Sequence, residues 1–480
     1  MRESRENALQ ICFREKPAIE AAVVLLAAAT TALTATEPLI AVYLLPAALL
    51  VIALANFDWF VYTTVFLLPW YPLPNIDLPV RDAFLFLRLV LFAGVWIIRK
   101  RSGRSISEWL VGSAINKLVM AYAAVAAISL LVSPLPVKLD ASRSLVRLFS
   151  YLAMFYAISG WIERREQVFR LIKLLLWSTV CVTLFGFYQA AIGGYTAFYS
   201  YLFNTAPPEW NGRVPSFLFQ FNALAAYLNL IIPFAIGSML LTRHRSTQRL
   251  GWLCLCTGTA AVYLTGSRGG LLALGGILLL SAWFVRMRFR PNFDKLLRGL
   301  LAVALAGAIV ILVVPKGPEQ EQTTRVREVD DFTELSRLAL WGTAAAMFME
   351  HPVLGVGYGN YRALYGDYLT DVDVDQLDAH SLYLQLLAET GVFGFALFMA
   401  LMALLLRQAA GLLRTDDPFY RLVGLGLGGG LVGFLIHGFV DYFFHVQPQL
   451  GGLFWLICAV GLVVSEDTNQ SQGFASLSQA

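Results

Sequence analysis

Charge is what this chain has least of. Of its 480 residues, 14% are charged and 58% hydrophobic, whereas soluble domains run near a quarter charged. That scarcity excludes an ordinary water-soluble domain. Ten-residue strands of alternating hydropathy are missing too, which excludes a membrane β-barrel. Cysteine is sparse. The five (Cys12, Cys181, Cys254, Cys256 and Cys458) sit in apolar or N-terminal segments, so Cys254 and Cys256 read as buried thiols rather than a metal or redox pair. No small-residue cleavage pattern follows Arg2, Arg5, Arg14 and Lys16, so the first apolar segment is expected to be retained. The net charge of +4 says little about partners, and no nucleic acid is expected.

What the chain has in abundance is apolar runs of the ~20 residues a helix needs to cross hydrocarbon. Up to fourteen segments are legible, at 19–36, 38–54, 57–72, 83–98, 116–132, 144–161, 168–190, 222–241, 249–265, 269–286, 297–314, 381–406, 419–438 and 447–464. The expected fold is therefore all-α, a polytopic membrane bundle of about 12–14 transmembrane helices.

Placing residues 1–18 in the cytoplasm puts every large basic cluster on one side, as the positive-inside rule asks. These are Arg99–Arg104, Arg164–Lys173, Arg243–Arg249, Arg286–Arg298 and Arg407–Arg421. The organisation that follows is a bundle over 19–314 with an outside loop at 191–221. An extracytoplasmic loop at 315–379 comes next, then C-terminal spans over 380–464 and a disordered cytoplasmic tail at 465–480. The 315–379 loop carries twelve acidic and five basic residues. Loops of that length inside compact domains are usually functional or disordered.

The exceptions to the charge rule are basic residues on the outside. Thr265-Gly266-Ser267-Arg268-Gly269-Gly270 joins two spans through almost no loop, and its glycines permit a tight turn and a close approach to a ligand. Arg268 suits two roles there, a bidentate clamp on phosphate or a headgroup-snorkelling anchor. Arg213 follows an aromatic stretch (Tyr195 to Trp210) that suits either the membrane interface or sugar stacking. Arg337 begins a run in which Leu338, Trp341, Ala345 and Phe348 recur at helical spacing. An amphipathic helix closing near His351-Pro352 is expected. Arg337 either faces a phosphate or pairs with Glu334.

His380 opens the next span. A neutral imidazole there is suited to take a proton from a hydroxyl, or simply to cap the helix. Glu389, deeper in the span, reads as a helix–helix hydrogen-bonding group. His437, Asp441 and His445 recur every four residues, a spacing that admits a metal-binding face. Asp441 is alternatively placed to orient an arginine or His380. Gly355-Val356-Gly357-Tyr358-Gly359 lacks the last glycine of the dinucleotide fingerprint and reads as a compact turn. The Asp371–Asp378 run has Gln376 and Leu382 where a calcium loop needs glycine and glutamate, so it is no EF-hand.

Together these pieces resemble the O-antigen ligase and polymerase superfamily of bacterial envelope glycan enzymes. The resemblance rests on Ser267-Arg268-Gly269-Gly270, on Arg337-x-x-x-Trp341 and on His351-Pro352-Val353-Leu354-Gly355-Val356-Gly357. It also rests on His380 leading into Leu382–Gly394, and on His437-Gly438-x-x-Asp441. It spans roughly 213–462. Of an Asn-Pro-Asn-type signature near the first arginine only Asn222 remains, and Ser381 follows His380 where asparagine is frequent. The resemblance implies a GT-C-like bundle in the bacterial inner membrane, with both termini cytoplasmic and an extracytoplasmic active site. It implies a glycosyltransferase that moves a glycan from polyprenyl (undecaprenyl) pyrophosphate to a sugar hydroxyl, on lipid A–core in ligases or on another repeat unit in polymerases.

The expected partners are that donor, that acceptor and membrane lipids. The expected catalytic residues are His380, Arg268 and Arg337, with Arg213, Asn222, Trp341 and Asp441 also contacting substrate. Neither cofactor nor metal is expected, because preorganised arginines can stabilise a departing pyrophosphate. The competing reading is a transporter of a small anion such as bicarbonate, for which Arg88, inside the fourth segment, is the best residue.

Overall fold

The computed structural model describes residues 56–70, 83–133, 139–191, 213–218, 220–288, 323–368, 378–444 and 447–477. Among them regular structure is entirely helical. Helices Phe57–Phe66 (α1), Ala83–Arg101 (α2) and Ile106–Val111 (α3) precede Ala114–Leu131 (α4), Leu139–Trp161 (α5) and Arg165–Ala191 (α6). Then come Phe221–Leu241 (α7), Arg245–Leu264 (α8), Arg268–Arg288 (α9), Thr323–Glu350 (α10) and Tyr361–Tyr368 (α11). Leu382–Arg414 (α12), Pro418–His437 (α13) and Pro448–Leu477 (α14) complete the series. Six of these are long and apolar enough to cross a membrane: α4, α6, α7, α12, α13 and α14. The fold is a polytopic all-α membrane protein. The expected spans at 19–36, 38–54 and 297–314, the aromatic run Tyr195–Trp210 and the acids Asp371, Asp373 and Asp375 lie outside the described residues.

Helix α7 is the axis of the bundle. It packs most extensively on α13 and α8, and almost every residue along it is buried. A helix that is apolar on all sides has no solvent face and belongs at the centre. Helix α12 lies against α13 and α4, while α5 is held between α2 and α14. At the basic end of the bundle, ion pairs join elements that are distant in sequence. Arg165 bonds Asp417 at 2.8 Å and Asp467 at 3.3 Å, and Asp467 also accepts from the Tyr420 hydroxyl at 2.7 Å.

That tie corrects one expectation. Residues 465–477 continue α14 as helix where the sequence suggests a disordered tail. The polar run is held at its root by Asp467 and by Thr468, whose hydroxyl bonds the Val464 carbonyl at 2.9 Å.

The 315–379 segment is docked onto the bundle where it is described. Helix α10 is longer than the amphipathic helix expected from Arg337 onward, and it ends at Glu350, next to His351-Pro352 as the sequence suggests. Beyond it the glycine-rich turn lies along α12, which is kinked at Gly391 (φ 61°, ψ −165°). The kink opens the α-helical ladder, and the turn fills the vacated bonds. Val356 N–H donates to Ala388 O at 2.8 Å, Gly357 N–H to Glu389 O at 3.1 Å, and Val392 N–H to Pro352 O at 2.9 Å. Backbone at membrane depth must find protein partners in this way. A Cβ on Gly391 would overlap the Val353 carbonyl, so only glycine fits.

The buried Glu389 carboxylate reinforces the joint, accepting from Gln385 Nε2 at 2.9 Å and Tyr361 N–H at 3.4 Å. Asp378 forms a bidentate pair with Arg362 at 2.9 and 2.5 Å, a structural use of the last acid in the Asp371–Asp378 run.

Candidate functional site

At the end of the bundle opposite the Arg165 cluster, four connections converge: the segment before α7, the α8–α9 turn, the entry to α12 and the α13–α14 connection. Arg213 binds the α8–α9 turn. Its Nε donates to Thr265 O at 2.8 Å and an Nη to Gly266 O at 3.0 Å. Its guanidinium carbon lies 3.3 Å from the Phe221 ring centroid, within the range of a cation–π contact. The Val214 amide adds a bond to Leu264 O at 3.2 Å. Arg213 thus fixes the turn that presents Arg268, using two of its donors on carbonyls. Asn222 sits buried at the start of α7, beside Phe221.

The turn itself is built by capping. Ser267 Oγ accepts from Gly270 N–H at 3.2 Å, and Ser267 N–H donates to Thr265 Oγ1 at 3.1 Å. This starts α9 at Arg268, an exposed residue in its first turn. Gly269 brings the turn against α13, since a Cβ there would lie 2.9 Å from His437 Cδ2 and closer still to Val440.

His380 lies just before the α12 N-cap, Ser381. Its Nδ1 is 3.2 Å from Asp441 Oδ1, with the imidazole 19% and the carboxylate 2% exposed. Its backbone is left-handed (φ 46°), a conformation that costs a non-glycine residue on the order of 1–3 kcal/mol and clusters at functional sites. Asp441 also accepts from the Tyr442 amide at 2.8 Å. Burial pushes its pKa up, but the hydrogen bond and charge of His380, with His437 and that amide, pull it below its ordinary value. An ionised Asp441 holding Nδ1–H leaves Nε2 as the basic nitrogen of His380, the arrangement by which a carboxylate orients a general base.

Arg337, half-buried on α10, lies within electrostatic reach of His437. Trp341, one turn further, is partly buried, and its indole N–H has no hydrogen-bond partner among the described residues. Arg213, Arg268, His380, Asp441 and Arg337 therefore gather at one end of the bundle. Asn222 is tied to the group only through its neighbour Phe221. For the metal-face reading, His445 lies outside the described residues, and no cluster of three or more metal-ligating side chains occurs among the described ones.

Two residues have roles that sequence reasoning missed. In the sequence His437 reads as a metal candidate and as part of the His437-Gly438-x-x-Asp441 stretch, yet it adjoins both the Ser267 turn and Asp441. Its four-residue spacing from Asp441 at a helix end was the available signal. Ser267 was legible only as part of a motif.

Residues 252–399 match the family model described as O-antigen ligase. The matched segment is therefore similar to the O-antigen ligase family, and it lies within a multi-pass membrane protein. The matched stretch contains Arg268, Arg337 and His380, while Arg213, Asn222, His437 and Asp441 lie outside it. A search of curated proteins gave no match.

Proposed function

We propose that the protein is a membrane glycosyltransferase of the O-antigen ligase or polymerase type. It transfers a glycan from a polyprenyl pyrophosphate carrier to a sugar hydroxyl at the extracytoplasmic face of the inner membrane. His380 is the base that deprotonates the acceptor hydroxyl, and Asp441 orients it. Arg268 and Arg337 hold the pyrophosphate, whose negative charge grows as the glycosidic bond breaks. Fixed cations facing that charge stabilise the transition state more than the ground state. Arg213 shapes the turn that presents Arg268. Trp341 and Asn222 line the glycan groove. Guanidinium groups take the place that a metal has in other phosphate-releasing enzymes.

The observation that carries this reading is the 3.2 Å contact between His380 and Asp441, with the Arg268 turn packed against the same helix end through Gly269 and His437. The transporter reading has less support. Arg88 is buried, but it donates to Ser150 Oγ at 3.2 Å and Pro448 O at 2.8 Å, so its polar contacts tie helices together.

The test is turnover of lipid-linked glycan by purified protein in detergent. His380→Ala and Arg268→Ala are each expected to abolish it while a chelator leaves it intact. Full turnover by both variants refutes the assignment, and loss on chelation refutes the metal-free mechanism.

A further inference from the structure

Resting on the reading above, we propose that His437 is a positioning residue that couples the Arg268 turn to the Asp441–His380 pair. It contacts neither donor nor acceptor itself.

His437 is the last residue of α13 and is 1% exposed. Its Nε2 is 3.5 Å from Ser267 Oγ. That hydroxyl already accepts the Gly270 amide; it keeps one proton and a second lone pair, so the imidazole tautomer sets which atom donates, and when Ser267 donates Nε2 is the acceptor. A neutral imidazole with Nε2 accepting carries its proton on Nδ1. Among the described residues Nδ1 of His437 has no hydrogen-bond partner, and neither has Oδ2 of Asp441. An unmatched buried ring nitrogen thus sits four residues from an unmatched buried carboxylate oxygen, and the two groups interact electrostatically.

A histidine kept for packing alone has its polar atoms satisfied, and a buried one left unsatisfied calls for an explanation. The explanation here is that the imidazole bridges two parts of one site. On one side lie Ser267 and Gly269, which set Arg268. On the other lies the carboxylate that sets His380. The ring is pinned between them by Phe443, at 5.0 Å between centroids. Arg337 is the cationic group in electrostatic reach. The residue therefore adjoins the turn of one proposed phosphate-binding arginine, the charge of the other and the carboxylate of the base pair.

The experiment is steady-state kinetics on full-length protein in detergent, with lipid-linked glycan as donor and His380→Ala as control. His437→Leu, of similar bulk, is expected to lower kcat about 10- to 100-fold, the usual penalty for removing an orienting partner, with donor KM unchanged. His437→Gln, which keeps an acceptor toward Ser267, should recover part of that loss. If His437→Leu does not fold, His437→Gln and Ser267→Ala carry the test, each predicted to lower kcat at constant KM. Wild-type kcat in the folded His437 variants, or a defect confined to KM, overturns the inference. Turnover by His380→Ala overturns instead the reading of the site on which it rests.

Discussion

His380 and Asp441 are held together by backbone as well as by side chain: the Leu382 amide donates to the Gly438 carbonyl at 2.7 Å, so the start of α12 is bonded to the end of α13. The 3.2 Å contact between imidazole and carboxylate therefore joins two positions that the fold already fixes. Asp441→Asn keeps the shape and removes the charge. An orienting carboxylate sets both the tautomer of the base and the stability of the imidazolium that forms. The expected result is a fall in kcat on the order of 10²- to 10⁴-fold with donor KM little changed. Wild-type kcat in the Asp441→Asn variant removes this carboxylate from the mechanism.

The left-handed backbone of His380 (φ 46°) sets activity against stability. Asparagine tolerates that conformation better than most residues. Because any substitution also gives up the imidazole contact to buried Asp441, the reference is His380→Ala: His380→Asn is expected to be equally inactive but more resistant to heat than His380→Ala, by up to about 1 kcal/mol. Thermal unfolding in detergent checks this. Equal stability of His380→Asn and His380→Ala would show that the conformation is not strained.

How much of this was legible beforehand follows from what each signal measures. Helix α7 and its buried neighbours were plain because a membrane span is a run of composition, readable without knowing its partners. Arg268 and His380 stood out because basic groups are the exception at span ends on the side opposite the basic clusters. The Gly391 kink was not legible: glycine is common in membrane helices, and only the 353–357 turn reveals why this one is obligatory. The role of Arg213 was half legible. Its position marked it, but its carbonyl partners 52 and 53 residues away are a fact of tertiary structure. The contact of His437 with Ser267 was hidden for the same reason, since the two lie 170 residues apart. The pattern of His437 with Asp441 suited a metal face as well as a bridge.

Gly269 offers a steric test of the convergence. A Cβ at this position would lie 2.9 Å from His437 Cδ2, with Val440 nearer still. Both neighbours are themselves held where α13 ends and its connection to α14 begins, so they cannot yield cheaply. Overpacking of this kind costs about 1–3 kcal/mol. Gly269→Ala should lower the melting temperature and reduce turnover more than the stability loss explains, because the displaced group is His437. Gly275→Ala, on the same helix but with open space around it, is the control and should change neither. Equal behaviour of the two variants would refute the close approach.

Asp441 also makes a signed prediction about acid stability. Burial alone would raise its pKa, but His380, His437 and the Tyr442 amide more than offset that, leaving it below its ordinary value of 3.8. A carboxylate depressed on folding adds stability in full above its unfolded pKa and loses it as the pH falls through the folded one. The folded value is the lower of the two, so the loss belongs to strongly acidic solution. Thermal unfolding of wild type and Asp441→Asn should therefore differ by a constant amount from neutrality down to about pH 4, near the unfolded carboxyl value, and converge only below it. Convergence already between about pH 7 and 5 would place the folded pKa above the unfolded one. It would mean that burial, rather than the imidazole, governs this carboxylate.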